Sequence, residues 1–234
     1  MFWDNEYKSK KRVWGKGPSE LAIATVRYLQ VCESSNKILN ILDIGCGYGR
    51  DAFYFSDNLR CRILGIDISE EAIDMASSAA FKAQKEHVRF QCSDFTELEE
   101  GKSDIVFISN LYQLLKEDER KELRKAVMRT LKPNGLLFLN TLSVTDPEHY
   151  GKGIPVPNEP HSFQDRVYLH FCTSEELIND FAFLNIKELY EHEFHEARGT
   201  GEEHHHISWI LVGEHVGTSH DSKMVGDFQK EDTG

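Results

Sequence analysis

Apolar and polar residues change period repeatedly along the chain. Pro18-Ser19-Glu20 leads into Leu21, Ile23, Ala24, Val26 and Leu29, the spacing of an amphipathic helix. The run Ile41-Leu42-Asp43-Ile44 reads as a buried strand that breaks into Gly45-Cys46-Gly47-Tyr48-Gly49, with a helix expected from there through about Ser56. Ile63-Leu64-Gly65-Ile66-Asp67 reads as a second strand, and Ser69-Glu70-Glu71-Ala72 opens another helix with Ser69 as N-cap. Further strands are expected over Asp104 to Ser109 and before Thr141. Between the last two lies a charged helix, Lys116 to Thr130, whose apolar face includes Leu123, Val127 and Leu131. Strands and helices alternating in this way predict an α/β fold, a parallel sheet with crossover helices on both faces.

The pattern changes at Thr145. Four of the six prolines, Pro147, Pro155, Pro157 and Pro160, crowd together beside Gly151 and Gly153, which excludes a regular helix or a central strand. Residues 145–172 are therefore expected to be a long insertion, either a functional loop or a disordered one. Thr173-Ser174-Glu175-Glu176 is a capping box before Leu177, Ile178 and Phe181. Two final strands, about Ile186 to His195 and His206 to Val212, are joined through Gly199-Thr200-Gly201. The expected division is an N-terminal arm (1–16), a core (17–144), the insertion (145–172), a closing helix and strand pair of the same domain (173–216), and a small polar tail (217–234) without order.

Composition narrows the partners. The 234 residues are 40% hydrophobic and 28% charged, ordinary for one globular domain. Against 39 acidic residues stand 27 Lys and Arg, a net charge of −12 that opposes a nucleic-acid partner. The basic cluster Lys8-Ser9-Lys10-Lys11-Arg12 reads as a solvated arm. Cys32, Cys46, Cys61, Cys92 and Cys172 form no Cys-x-x-Cys pair, so reduced thiols and a cytoplasmic location are expected. No run approaches the roughly eighteen apolar residues of a membrane span, and Met1-Phe2-Trp3-Asp4 lacks the layout of a signal peptide.

The glycines carry the chemistry. At alternate positions they allow positive φ and leave no Cβ between the backbone and a ligand laid against it. A dinucleotide fingerprint has two residues between its second and third glycines. Here Gly49 comes one residue early and Arg50 holds the slot of the third glycine. Asp43, two residues before Gly45, disfavours a pyrophosphate and favours a cation.

Asp43-Ile44-Gly45-Cys46-Gly47-Tyr48-Gly49 resembles the glycine turn of the class I (Rossmann-like) S-adenosylmethionine-dependent methyltransferases. Ile63 to Ser69, Val88 to Phe95 and Leu131-Lys132-Pro133-Asn134-Gly135 extend the resemblance in the family's order over roughly residues 38–143, with Asn134 replacing one glycine. The resemblance implies a doubly wound, mostly parallel seven-stranded sheet with a C-terminal antiparallel hairpin, and S-adenosylmethionine as cofactor. It assigns the glycine turn to Asp43, Gly45, Cys46, Gly47 and Gly49, the ribose hydroxyls to Asp67 beside Ile68, and the adenine to Asp94 and Phe95. It also puts Asn110 near the methionine end, and an arm carrying Trp3, Tyr7 and Trp14 over the cofactor. Alternative roles stay open: N-cap for Asp67, solvated turn acid for Asp94, strand end for Asn110, plain packing for the arm.

Ligands of open α/β sheets bind outside the carboxyl ends of the strands, so residues 145–172 are expected to face the acceptor. Candidate bases there are His149, His161 and His170, with His161 and His170 preferred and Tyr112 as a positioning group; a structural role for each histidine is the alternative. His192, His195 and His204-His205-His206 lack the cysteine or carboxylate spacing of a structural metal site, and no metal is expected. The expected activity is methyl transfer to a small molecule. Alternatives are a protein or RNA acceptor, against which Ser109-Asn110-Leu111-Tyr112 lacks the prolines of the Asn-Pro-Pro-Tyr signature, and a noncatalytic cofactor-binding protein or an NAD(P)-dependent oxidoreductase. The oligomeric state is not legible.

Overall fold

Strand β1 (Leu39–Ile44) is apolar on both faces: Leu39 and Ile41 join one core, Leu42 and Ile44 the other. Such a strand needs cover above and below, the condition of a central parallel strand. In the computed structural model, which describes residues 2–10, 15, 17–32, 37–197 and 203–216, β1 pairs in parallel with β2 (Cys61–Asp67) and β4 (Ser103–Ile108). β3 (Val88–Cys92) extends the sheet beyond β2, and β5 (Leu131–Leu142) beyond β4, both parallel. A small antiparallel sheet of β6 (Ile154–Pro155), β7 (Ser162–Gln164) and β8 (Tyr168–His170) stands apart. The main sheet closes with the antiparallel strands β9 (Leu184–Ala197) and β10 (Glu203–His215), giving the order β3-β2-β1-β4-β5-β10-β9. This is the expected seven-stranded sheet. Trp14, the Gly199-Thr200-Gly201 connection and the tail from Gly217 lie outside the described residues.

Helices cover both faces. On one, Leu21, Val26 and Leu29 of α2 (Glu20–Cys32) and Ala52 and Phe55 of α3 (Arg50–Asn58) pack on Ile41, Phe107 and Phe138. On the other, Leu123 and Val127 of α5 (Glu117–Thr130) and Leu177 and Phe181 of α6 (Ser174–Asp180) pack on Leu42, Val106 and Leu139. Each fully buried aliphatic or phenyl side chain contributes about 1.5–3 kcal/mol. Between β2 and β3 runs α4 (Glu70–Lys82), capped by Ser69 Oγ, which accepts from the Ala72 N–H at 3.3 Å. Among the described residues no helix is long and apolar enough to cross a membrane.

Three features differ from the sequence pattern. The arm contains a helix, α1 (Phe2–Lys10), which no periodicity announces; tertiary contacts of Asp4 and Tyr7 hold it. The proline-rich segment is not plain loop, because Pro155 occupies an edge strand, where its missing N–H costs nothing. At α6 only half of the capping box forms. Thr173 Oγ1 accepts from the Glu176 N–H at 3.1 Å, while the Glu176 carboxylate turns to His170.

The lower edge of the sheet is pinned by Asp104, whose carboxylate accepts from Lys37 Nζ at 2.7 Å, the Asn40 N–H at 2.8 Å and Lys132 Nζ at 3.0 Å. Burial alone would raise its pKa, but these donors outweigh it and bring the group down to about 2.

Candidate cofactor site

The site grows from the turn after β1. The Gly45 and Cys46 N–H groups both donate to the Ile66 carbonyl of β2, at 2.8 and 3.0 Å, so the turn hangs on the neighbouring strand. Gly47 then takes a φ of +52°, and a Cβ there would lie 2.8 Å from the Tyr7 hydroxyl. Its N–H donates to Asp67 Oδ2 at 2.9 Å, and Asp67 Oδ1 accepts from the Ser69 N–H at 2.9 Å. The acid ending β2 thus joins the glycine turn to the start of α4. Each of its oxygens keeps a second lone pair for a hydroxyl. Burial raises the Asp67 pKa, against the lowering pull of the Ser69 and Gly47 N–H groups.

Over these turns opens a cavity of about 430 Å³ at the carboxyl ends of β1, β2, β3 and β4. Its wall includes Asp43, Gly45, Cys46, Gly47, Asp67, Ile68, Asp94, Phe95 and Asn110, together with Trp3 and Tyr7 of α1. Gly49 is not in that wall. It takes φ +80° as the N-cap of α3, and a Cβ on it would meet Phe90 Cζ at 2.6 Å, so its smallness serves packing behind the turn.

Asp43 is 2% exposed, and its Oδ2 has no hydrogen-bond partner among the described residues. Burial, reinforced by Asp51 and Asp67, pushes its pKa well above the usual carboxylate range. A buried acceptor left open in a cavity wall fits a cationic ligand group. Asp94 spends one oxygen on the Thr96 N–H at 2.8 Å, capping the short turn Phe95–Glu97, and still faces the cavity. Asn110 has a φ of +55°, with its N–H and Oδ1 both bonded to the side chain of Asn140.

The residues present therefore fit S-adenosylmethionine: Asp43 toward the ammonium, Asp67 toward the ribose hydroxyls, Asp94 and Phe95 toward the adenine, and a cradle at Gly47 that a Cβ would fill. The sequence pattern did not single out Arg50, Leu111, Leu114, Leu115, Asp118 or Glu122, which also line the cavity. Of these only Arg50 left a trace, as the residue displacing a third glycine.

The preferred acid–base residues lie elsewhere. Tyr112 is fully buried; its O–H donates to Asp180 Oδ2 at 2.5 Å and its oxygen accepts from Arg124 at 2.7 Å, while burial raises the phenol's pKa. His170, also buried, is 2.8 Å from Ser162 Oγ through Nδ1 and 2.7 Å from Glu176 Oε1 through Nε2. His161 Nδ1 is 2.8 Å from the Tyr150 hydroxyl. None of the three lines the cavity, nor does any residue of 145–172. A bridge between Ser143 and Cys172 closes the insertion at its base beside β5. The insertion instead reaches the arm: Arg166 pairs with Glu6 of α1 and stacks 5.9 Å over the Phe2 ring.

The remaining histidines spread out. His192 faces Glu20 at 3.5 Å, His205 faces Glu193 at 2.6 Å and His206 faces Asp146 at 3.4 Å, while the side chains of His195 and His204 are outside the described residues. Among the described residues, the donors of His170, Cys172 and Glu176 converge within 4.8 Å, but both nitrogens of that histidine already have partners.

A Rossmann-like sheet with a buried, open carboxylate at its first turn and acids at the next two strand ends lining one cavity is the arrangement expected of a class I, S-adenosylmethionine-binding domain. The comparisons agree: a family described as "Methyltransferase domain" matches residues 41–135. Phosphoethanolamine N-methyltransferase 3 of Arabidopsis thaliana is 28% identical over 145 residues, 59% of this chain and 29% of that protein. The 27-O-demethylrifamycin SV methyltransferase of Amycolatopsis mediterranei is 31% identical over 100 residues, 42% of this chain and 37% of that protein. The first curated relatives are matched over 29% to 55% of their own length. The fold is shared with 1,6-didemethyltoxoflavin-N1-methyltransferase of Burkholderia thailandensis, solved with its acceptor and S-adenosylhomocysteine, at a TM-score of 0.65 and 16% identity over 92% of this chain and 86% of that one. Residues 41–135 thus match a methyltransferase domain, and the chain has the fold of the class I S-adenosylmethionine-dependent methyltransferases.

Proposed function

We propose that this chain moves the methyl group of S-adenosylmethionine to a small-molecule acceptor carrying an oxygen, nitrogen or sulfur nucleophile. The observation that carries the reading is the order of acids around the cavity: Asp43 near the end of β1, Asp67 at the end of β2 and Asp94 just after β3, one each for the charged, sugar and base parts of the cofactor. The cofactor supplies an electrophilic methyl on a sulfonium. The protein's part is to bind, orient and keep dry, since an in-line displacement gains most from alignment and excluded water.

Trp3 and Tyr7 from α1 line the cavity, an enclosure suited to a small acceptor more than to a nucleic-acid strand. Named relatives that methylate phosphoethanolamine or a rifamycin support the same acceptor class. The acidic balance argues against a nucleic-acid acceptor and the unpaired thiols favour the cytoplasm. Candidate bases stay the partly exposed His161 and the buried His170, with Tyr112 positioning; each would have to be brought to the cavity to act.

A thermal-shift panel tests the assignment. Stabilisation by S-adenosylhomocysteine, and none by NAD or NADP, is the expected pattern. The reverse pattern would replace the methyltransferase reading with that of an oxidoreductase.

A further inference from the structure

Asn110 ends β4 in a left-handed conformation, φ +55°, that costs an ordinary L-residue free energy and that asparagine tolerates better than most. Something must hold it there. Asn140, 5% exposed on β5, accepts the Asn110 N–H on its Oδ1 at 2.8 Å and donates its Nδ2 to Asn110 Oδ1 at 3.0 Å. The two amides form a closed, reciprocal pair in which backbone and side chain of Asn110 are both tied to one buried group. The next residue, Leu111, lies over the glycine turn: its Cδ2 is 3.0 Å from where a Cβ on Gly45 would be. Contact therefore runs from Asn140 through Asn110 and Leu111 to the turn that cradles the ligand.

We infer that Asn140, which does not line the cavity, is a positioning residue that sets the cofactor-facing turn after β4. The inference rests on the reading of the cavity as a cofactor site. Asn140→Leu removes both hydrogen bonds and frees Asn110 to leave the left-handed region. Asn140→Asp keeps an acceptor for the Asn110 N–H but sets an oxygen against Asn110 Oδ1.

The test measures S-adenosylhomocysteine affinity by calorimetry and the unfolding temperature of the unliganded protein for each variant. Wild-type binding checks the underlying reading separately. Asn140→Leu is expected to raise the dissociation constant about tenfold, and Asn140→Asp to raise it less, the scale of one or two neutral hydrogen bonds. Adding Asn110→Gly to Asn140→Leu should restore most of the affinity without restoring the unfolding temperature, because glycine takes positive φ unaided. A role limited to stability would lower the unfolding temperature and leave affinity within twofold, and no rescue by the glycine would follow. Either of those results, in protein whose wild type binds, overturns the inference.

Discussion

Asp67 and Gly47 are joined by a 2.9 Å hydrogen bond from the glycine N–H to the carboxylate, whose other oxygen receives the Ser69 N–H. The acid therefore shapes the turn as well as lining the cavity. Asp67→Ala is expected to weaken S-adenosylhomocysteine binding by about 1.5–3 kcal/mol, the scale of charge-assisted hydrogen bonds. Asp67→Asn offers one acceptor to two N–H donors and is expected to lose nearly as much. An unchanged dissociation constant in either folded variant, read by calorimetry, would contradict the ribose role.

The Tyr7 hydroxyl occupies the space a Cβ on Gly47 would need, and Tyr7 also meets Tyr48 edge-on with centroids 6.2 Å apart. Gly47→Ala is expected to cost about 1–2 kcal/mol in the left-handed backbone alone. It should also displace α1. Limited proteolysis within residues 2–10 should speed up in that variant, and ligand affinity should fall with it. Removal of residues 1–16 that left affinity intact would show that the arm only packs on the core.

These two residues also show what the chain's pattern makes legible. The centre of the sheet could be read because its strands are dominated by apolar residues and the crossover helices carry a periodic face, as in Ile41 to Ile44 and Leu123 to Val127. The acids of the cavity wall could be read in part from local sequence: Asp43 and Asp67 follow apolar runs directly, whereas Asp94 follows the mixed stretch Val88 to Ser93 and is legible only through the family resemblance. The side chains brought in from a distance could not. Asn140 reaches Asn110 across 30 positions and Tyr112 reaches Asp180 across 68, and neither pairing leaves a periodic trace. His170 has the right chemistry for a base, yet only its three-dimensional neighbours reveal that both ring nitrogens are taken.

That arrangement makes His170 a probe of the insertion. His170→Ala takes from the partly buried Glu176 carboxylate its histidine partner and from the buried Ser162 hydroxyl one of its partners, Tyr168 remaining, a loss of about 1–3 kcal/mol of stability. Denaturant unfolding should show the midpoint shift, while S-adenosylhomocysteine affinity stays near wild type. A variant of wild-type stability that had lost turnover would restore His170 as a catalytic base.

Asp43 gives the site a pH dependence whose sign follows from its burial. Desolvation, then the nearby Asp51 and Asp67 charges, raise its folded pKa above the ordinary 3.8. For a carboxyl shifted upward, the folded protein favours the protonated form, and the associated stability is lost as pH rises through the folded value. A ligand ammonium beside Asp43 reverses the preference by stabilising the carboxylate, so binding draws the proton off. The affinity for S-adenosylhomocysteine should therefore climb as pH rises toward the raised pKa of the empty site, most steeply where that site still holds its proton. Asp43→Asn should flatten that climb and lower affinity at the alkaline end. Measured as ligand-induced thermal shifts across the series, a flat wild-type profile would mean that the ammonium lies away from Asp43.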